Sequence, residues 1–122
     1  MGYRNALRLF KESVLSQLRG RVDSIVLYGS AARGEYHRVS SDVDLLVIGK
    51  GDSTYDVLRE IATDIDLKHS ILISLVYLSE EEFKRFLRGG SPFIESVLEE
   101  GEVLYDVGTF TRIRQSLVKA SG

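Results

Sequence analysis

Tyr3, Leu7, Phe10, Val14 and Leu18 recur at steps of three and four, the spacing that lines one face of a helix. The chain therefore opens on an amphipathic helix that ends near Gly20. The period then changes. Val22 to Tyr28 is rich in β-branched and aromatic residues and is closed by Gly29, which predicts a strand entering a tight turn. A second strand is predicted over Asp42 to Ile48, stopped at Gly49-Lys50-Gly51. Ser53 is placed to cap a helix whose Val57, Leu58, Ile61, Ala62 and Ile65 form a continuous apolar face, while Arg59, Glu60 and Asp64 point elsewhere. Ile71 to Leu78 is almost wholly apolar, the pattern of a strand that is central or covered on both faces.

Ser79 followed by Glu82 makes a capping box ahead of Phe83, Phe86 and Leu87, and Gly89-Gly90 ends that helix. Ser91-Pro92 opens another, because Pro is preorganised for the first helical position. Its Phe93, Ile94, Val97 and Leu98 are directed inward and Gly101 is its stop. A short segment from Val103 to Tyr105 and a terminal helix around Phe110, Ile113 and Leu117 follow. This order predicts an α/β fold of the α+β two-layer kind, a small mixed sheet of three to four strands with helices packed against it, in one domain spanning 1–122.

Composition narrows the chemistry. With 43% hydrophobic and 28% charged residues the chain is globular in character, and 122 residues suit one compact unit. A formal net charge of -2 supplies no field to hold a polyanion, so there is no strong nucleic-acid signal, although a local basic patch is allowed. Cysteine is absent, which excludes disulfides and thiolate zinc sites, and two His are too few for a His-based metal cluster. The longest apolar run, Ile71 to Leu78, is far short of the ~20 residues of a membrane helix. Arg4, Arg8 and Lys11 interrupt the first apolar residues, so no signal peptide is evident and a cytoplasmic protein is expected.

The informative stretch is LYGSAARGEYHRVSSDVDLLVI, Leu27 to Ile48. Gly29 lets the backbone turn sharply and approach an anion where a Cβ would obstruct. Ser30 adds a hydroxyl donor, and Ala31-Ala32-Arg33 suits a single helical turn whose N-terminal end favours a phosphate. Residues two apart on a strand project from one face, so Asp42 and Asp44 stand side by side with Cα atoms about 6.5–7 Å apart. Two carboxylates that close are costly unless a cation lies between them, and hard oxygen ligands suit Mg²⁺ or Mn²⁺. A solvated acid pair and an ordinary Gly-Ser turn are the plain alternatives for each half taken alone. The functional reading comes from their combination across the eleven residues Ala31 to Ser41: a phosphate turn facing a carboxylate pair, as metal-assisted phosphoryl or nucleotidyl transfer requires. A Walker loop is excluded, since no Lys-Ser or Lys-Thr follows the glycines. Arg33, His37 and Arg38 add local positive charge. Arg33 is either a triphosphate clamp or one half of a structural ion pair, and His37 and Arg38 fit a rim. Glu80-Glu81-Glu82 reads as favourable charge at a helix start.

As it stands, YGSAARGEYHRVSSDVDLLV resembles the signature of the minimal nucleotidyltransferases of the DNA polymerase beta superfamily, with weaker similarity through SEEEF and SPFIESVLEEGEVLYD. The resemblance implies the nucleotidyltransferase fold. It further implies transfer of a nucleoside monophosphate from an NTP, ATP above all, to an acceptor hydroxyl with two divalent ions. Gly29 and Ser30 would hold the triphosphate, and Asp42 and Asp44 would bind metal and be catalytic. The spacer is one residue longer than a common form of the family. The family's third carboxylate, on the third strand, falls here on Ser74, which cannot neutralise a metal or act as a general base near neutral pH. Asp64, Asp66 and Glu35 are candidates to replace it, although each is more often a surface charge.

Two function classes follow. One is an enzyme that adenylylates an acceptor carried by a partner, which family analogy makes a HEPN-type helical toxin. The alternative is a non-catalytic nucleotide-binding antitoxin or regulatory module, for which Ser74 is the support. A DxD glycosyltransferase normally needs a larger nucleotide-sugar domain. The second long helix and the terminal helix leave a homo-oligomer open.

Overall fold

The computed structural model describes residues 3–34 and 42–121, with residues 118–121 as backbone alone. The elements run α1 (Tyr3–Leu18), β1 (Val22–Tyr28), α2 (Gly29–Ala32), β2 (Val43–Gly49), α3 (Asp52–His69), β3 (Ile73–Leu78), α4 (Glu80–Arg88), α5 (Pro92–Glu100), β4 (Glu102–Asp106) and α6 (Thr109–Ser121). The strands form one mixed sheet in the order β3-β2-β1-β4. β1 pairs antiparallel with β2 and with β4, while β2 and β3, joined through α3, are parallel.

Alternation along the strands sends side chains to two sides, and both sides are buried. Ile25, Leu27, Val43, Leu45 and Val47 face Leu7, Phe10 and Val14 of α1 and Leu58 and Ile61 of α3. Val26, Leu46 and Ile48 face Phe83, Ile94, Val97 and Phe110 of α4, α5 and α6. The expected mixed sheet with helices packed against it is present with four strands. A third layer joins the two expected, because helices cover both faces.

The same alternation explains where the sequence expectation for β3 changes. Leu75 and Tyr77 pack against one core and Val76 and Leu78 against the other, so the strand is covered on both faces. It is not central. β3 lies at the edge of the sheet and begins at Ile73, leaving Leu72 56% exposed. An apolar run reports what covers the faces of a strand and carries no information on its hydrogen-bonded neighbours.

Local signals account for the helix ends. Ser79 and Glu82 form the expected capping box, and Ser91 Oγ accepts from Ile94 N–H at 3.3 Å with Pro92 at the first position. The Ser53 cap is not formed: α3 starts at Asp52 after Gly51, whose φ of 93° makes the break in the backbone. Ser53 Oγ instead accepts from Arg21 Nη1 at 2.9 Å, and Thr54 Oγ1 donates to the Lys50 carbonyl at 2.7 Å. Phe93, expected inward, is 39% exposed, and Phe86 of α4 is 44% exposed, because Ile94 and Phe83 occupy the buried positions of their helices.

Asp106 joins three elements. Its Oδ1 accepts from Ser24 Oγ at 2.8 Å, Gly108 N–H at 2.9 Å and Phe110 N–H at 3.2 Å. Its Oδ2 accepts from the amide and hydroxyl of Thr111 at 2.9 and 2.5 Å. Burial alone would raise its pKa, but these donors outweigh burial and hold the carboxyl below the usual range. Asp106→Ala removes the cap of α6 and strands the buried Ser24 hydroxyl. Its expected cost is about 2 kcal/mol, or a fall in Tm of ~6–10 °C. Because the folded pKa is depressed, this contribution is complete above the unfolded pKa and is lost as pH falls through the folded one. Thermal melts should therefore separate wild type from Asp106→Ala at pH 7 and bring the two together in strong acid.

Candidate active site

The site is built where β1 ends and β2 begins. Pairing sets Tyr28 opposite Asp44, and Asp44 beside Ser74, so that Tyr28, Asp44 and Ser74 form a row across three strands. Registered neighbours point to the same side of a sheet, here the side covered by α4, α5 and α6. Gly29 turns the chain out of β1 with φ of 76° and starts α2. A Cβ at Gly29 would collide with Asp44 Oδ2 and stand 3.2 Å from Asp44 Cγ. The glycine is needed twice, for its left-handed backbone and for the space the carboxylate occupies.

α2 consists of Gly29, Ser30, Ala31 and Ala32 and closes at Arg33, whose N–H donates to the Gly29 carbonyl at 3.2 Å. The sequence predicts a single helical turn over Ala31 to Arg33; the observed turn starts two residues earlier, at Gly29, because the left-handed glycine redirects the chain at once, and Arg33 closes it. Tyr3 Oη donates to the Ala31 carbonyl at 3.3 Å, tying α1 to this turn, and Ala31 is buried. Ser30 is half-buried on the turn's first residues. Asp42 lies immediately before β2 and is exposed.

The electrostatics mark the acids as a coupled group. Burial raises the Asp44 pKa, the Asp42 charge raises it further, and Arg33 opposes both. Burial and the Asp44 charge push the Tyr28 phenol up to about 12, so it stays a neutral hydroxyl at physiological pH. The Tyr28 ring meets Phe93 edge-to-face with centroids 5.2 Å apart. Arg33 Nη1 donates to Glu100 Oε2 at 3.2 Å, so the ion-pair reading of this residue is realised while its charge still reaches Asp44.

The candidates for a third acid separate. Asp64 pairs with Lys68 at 3.1 Å on the surface of α3. Asp66 accepts from Ile73 N–H at 3.0 Å and so anchors the start of β3. Its pKa is raised by burial, lowered by that amide and raised by the Asp42 charge, so it lies within electrostatic reach of Asp42. Ser74 occupies the register position beside Asp44, as counting along the sequence predicted. Glu35, His37 and Arg38 lie outside the described residues, as does Ser41. Sequence reasoning missed Glu100 and the contribution of Tyr28. Only the parity of β1 hinted at the latter.

Among the described residues no group of three or more His, Asp or Glu side chains converges as a metal cage. The donor set nevertheless fits a divalent cation that keeps water and substrate oxygens in its shell: two neighbouring carboxylates, Asp42 and Asp44, with Gly29 clearing the space around Asp44.

The profile of the nucleotidyltransferase domain family matches residues 7–120. The chain belongs to that family, and it is a nucleotidyltransferase. A relative in Methanocaldococcus jannaschii, provisionally named protein adenylyltransferase MJ0604, is 37% identical over 86% of this chain and 100% of its own length. A solved structure described provisionally as a minimal nucleotidyltransferase is 30% identical over 80% of this chain and 92% of that one, with a TM-score of 0.52. A crystal structure of a toxin–antitoxin with AMP-PNP shares the fold, with a TM-score of 0.57 at 19% identity over 98% of this chain and 89% of that one.

Gly29→Ala should cost about 3 kcal/mol, of which ~1–2 kcal/mol comes from the left-handed backbone and the rest from the collision with Asp44. In an Asp44→Ala background the collision is gone. A double-mutant cycle by chemical denaturation should therefore give a coupling of about 1 kcal/mol or more. In metal-free buffer near neutral pH, Asp44→Asn should raise Tm by ~1–3 °C, because it removes a charge that burial and Asp42 both oppose. A Tm below wild type would contradict that electrostatic account.

Proposed function

We propose that this nucleotidyltransferase moves AMP from ATP onto a hydroxyl of a partner protein, with Mg²⁺ or Mn²⁺ held by Asp42 and Asp44. The observation that carries the reading is the seat of the Asp44 carboxylate against Gly29, which brings the acid pair and the phosphate turn to one place. The provisional name of the M. jannaschii relative supports both AMP as the transferred group and a protein as acceptor. The neighbour solved with AMP-PNP supports an adenine nucleotide, and its description as a toxin–antitoxin supports a toxin as the partner, which the family resemblance would make a HEPN-type helical protein. No described helix is long and apolar enough to cross a membrane.

The reaction joins the acceptor oxygen to the α-phosphorus, breaks the bond to the bridging oxygen and releases pyrophosphate. A bound divalent ion supplies charge neutralisation along the triphosphate. The chain's own residues orient the rest. Gly29 admits the phosphates to the backbone, Ser30 offers a hydroxyl donor, and Arg33, whose Nη1 donates to Glu100, sets a positive charge at the end of the turn. Tyr28 stays protonated and able to donate. Ser74 cannot take up the acceptor proton, which therefore leaves to water or to a phosphate oxygen.

Ser74 beside Asp44 favours a second reading, a nucleotide-binding antitoxin without turnover. Incubation with α-labelled ATP, Mg²⁺ or Mn²⁺ and the protein encoded next to it separates the two. Label should move to the acceptor with pyrophosphate release, and Asp44→Ala should lower the rate by about 100-fold or more. Ser74→Asp should raise turnover about tenfold at limiting metal, since it restores a hard ligand. Calorimetric binding of ATP with no pyrophosphate released under any metal condition would favour the second reading. Equal transfer by wild type and Asp44→Ala would defeat the metal assignment.

A further inference from the structure

A cleft of about 490 Å³ lies between α4 and α6, within the range of built ligand sites, and shares no residue with the candidate active site. The two helices meet through Phe83 and Phe110, whose rings are edge-to-face at 6.0 Å. Leu87 of α4 and Leu117 of α6, both half-buried, and the edge of the buried Ile113 of α6 give the cleft an apolar lining, and Lys84 and Arg88 of α4 and Arg112 of α6 flank it. Lys84 and Arg88 are one helical turn apart, as are Ile113 and Leu117, so cations and apolar side chains run in rows along the helix axes.

The charge is unbalanced. Glu80 is the carboxylate lining this cleft, and Lys84 already holds it at 2.8 Å. Among the described residues neither Arg88 nor Arg112 has an ion-pair partner. The surface is thus locally cationic in a protein whose formal net charge is -2. Guanidinium groups beside an apolar floor suit a ligand that brings carboxylates and hydrocarbon together, because the planar fork pairs with a carboxylate while the stem covers apolar surface.

We propose that the α4–α6 cleft docks an amphipathic helix with acidic flanks from a protein partner, its apolar side chains on Leu87, Ile113 and Leu117 and its carboxylates on Arg88 and Arg112. Rows at one-turn spacing match what a helix presents at i, i+3 and i+4. A compact phosphate would use the cations and leave the apolar row wet. A nucleic acid would need a longer basic track than these three cations provide. Docking here does not depend on nucleotide transfer, so it holds for an active enzyme and for a silent antitoxin alike.

The test uses a fluorescein-labelled helical peptide with Leu at i, i+4 and i+7 flanked by Glu, and a partner peptide in which every Glu is Lys. Anisotropy is read against the full chain, with inorganic tripolyphosphate and duplex RNA as competitors. The Glu peptide should bind in the micromolar range and weaken with added salt, while the Lys peptide should not bind. The double variant Arg88→Glu/Arg112→Glu should lose the Glu peptide by about tenfold or more and gain the Lys peptide. Thermal melts establish that it folds, and Arg88→Gln/Arg112→Gln, expected to weaken the Glu peptide in the same direction, replaces it should it not. The proposal is overturned if the Glu peptide fails to bind, if neither pair of substitutions weakens it, or if tripolyphosphate or RNA occupies the cleft more tightly than the peptide.

Discussion

The close approach of the Gly29 backbone to the Asp44 carboxylate is the constraint on which the proposed chemistry rests. Any other residue at 29 would place a carbon where an oxygen of Asp44 lies, and would also have to hold a left-handed backbone. The antiparallel pairing of β1 with β2 fixes that approach, because Tyr28 and Asp44 are register partners. The buried contacts of Ile25, Leu27, Leu45 and Val47 then stabilise the register, since a slip by one residue would send these side chains to the wrong core. A hydrophobic sandwich thereby positions a polar pair to within the width of an atom.

That pair is held against its own electrostatics. Burial and the neighbouring Asp42 charge both work against ionised Asp44, and Arg33, partly engaged by Glu100, offsets them incompletely. A site of this kind is poised for a cation, because the charge that opposes folding in its absence becomes a ligand in its presence. Ser74, the register neighbour of Asp44, adds no further charge to that repulsion.

The two helical layers divide the labour. α1 reaches the site through the Tyr3 contact to α2, and α3 through Asp66 at the head of β3. On the other side α5 supplies Phe93 against Tyr28 and Glu100 to Arg33, while α4 and α6 leave a cationic cleft between them. Asp106 secures α6 to β1 and β4 through five hydrogen bonds, so the wall of that cleft is anchored to the strand that leads into Gly29.

Much was legible in the chain alone, because hydrophobic period, caps and glycine stops are local. The apolar face of α1, the capping box at Ser79, Pro92 at the start of α5 and the turn after β1 all followed from neighbours within a few residues. The family resemblance, counted back along the chain, pointed to Ser74 on the third strand, and the register sets that residue beside Asp44. Tertiary structure alone decided that β3 is an edge strand, that Arg33 pairs with Glu100 across 67 positions, and that Asp66 faces the amide of Ile73 with the Asp42 charge in reach. Each of these depends on which distant groups the folded chain brings together. A one-dimensional pattern records how a residue relates to its near neighbours along the backbone, and not which remote charge will lie across from it.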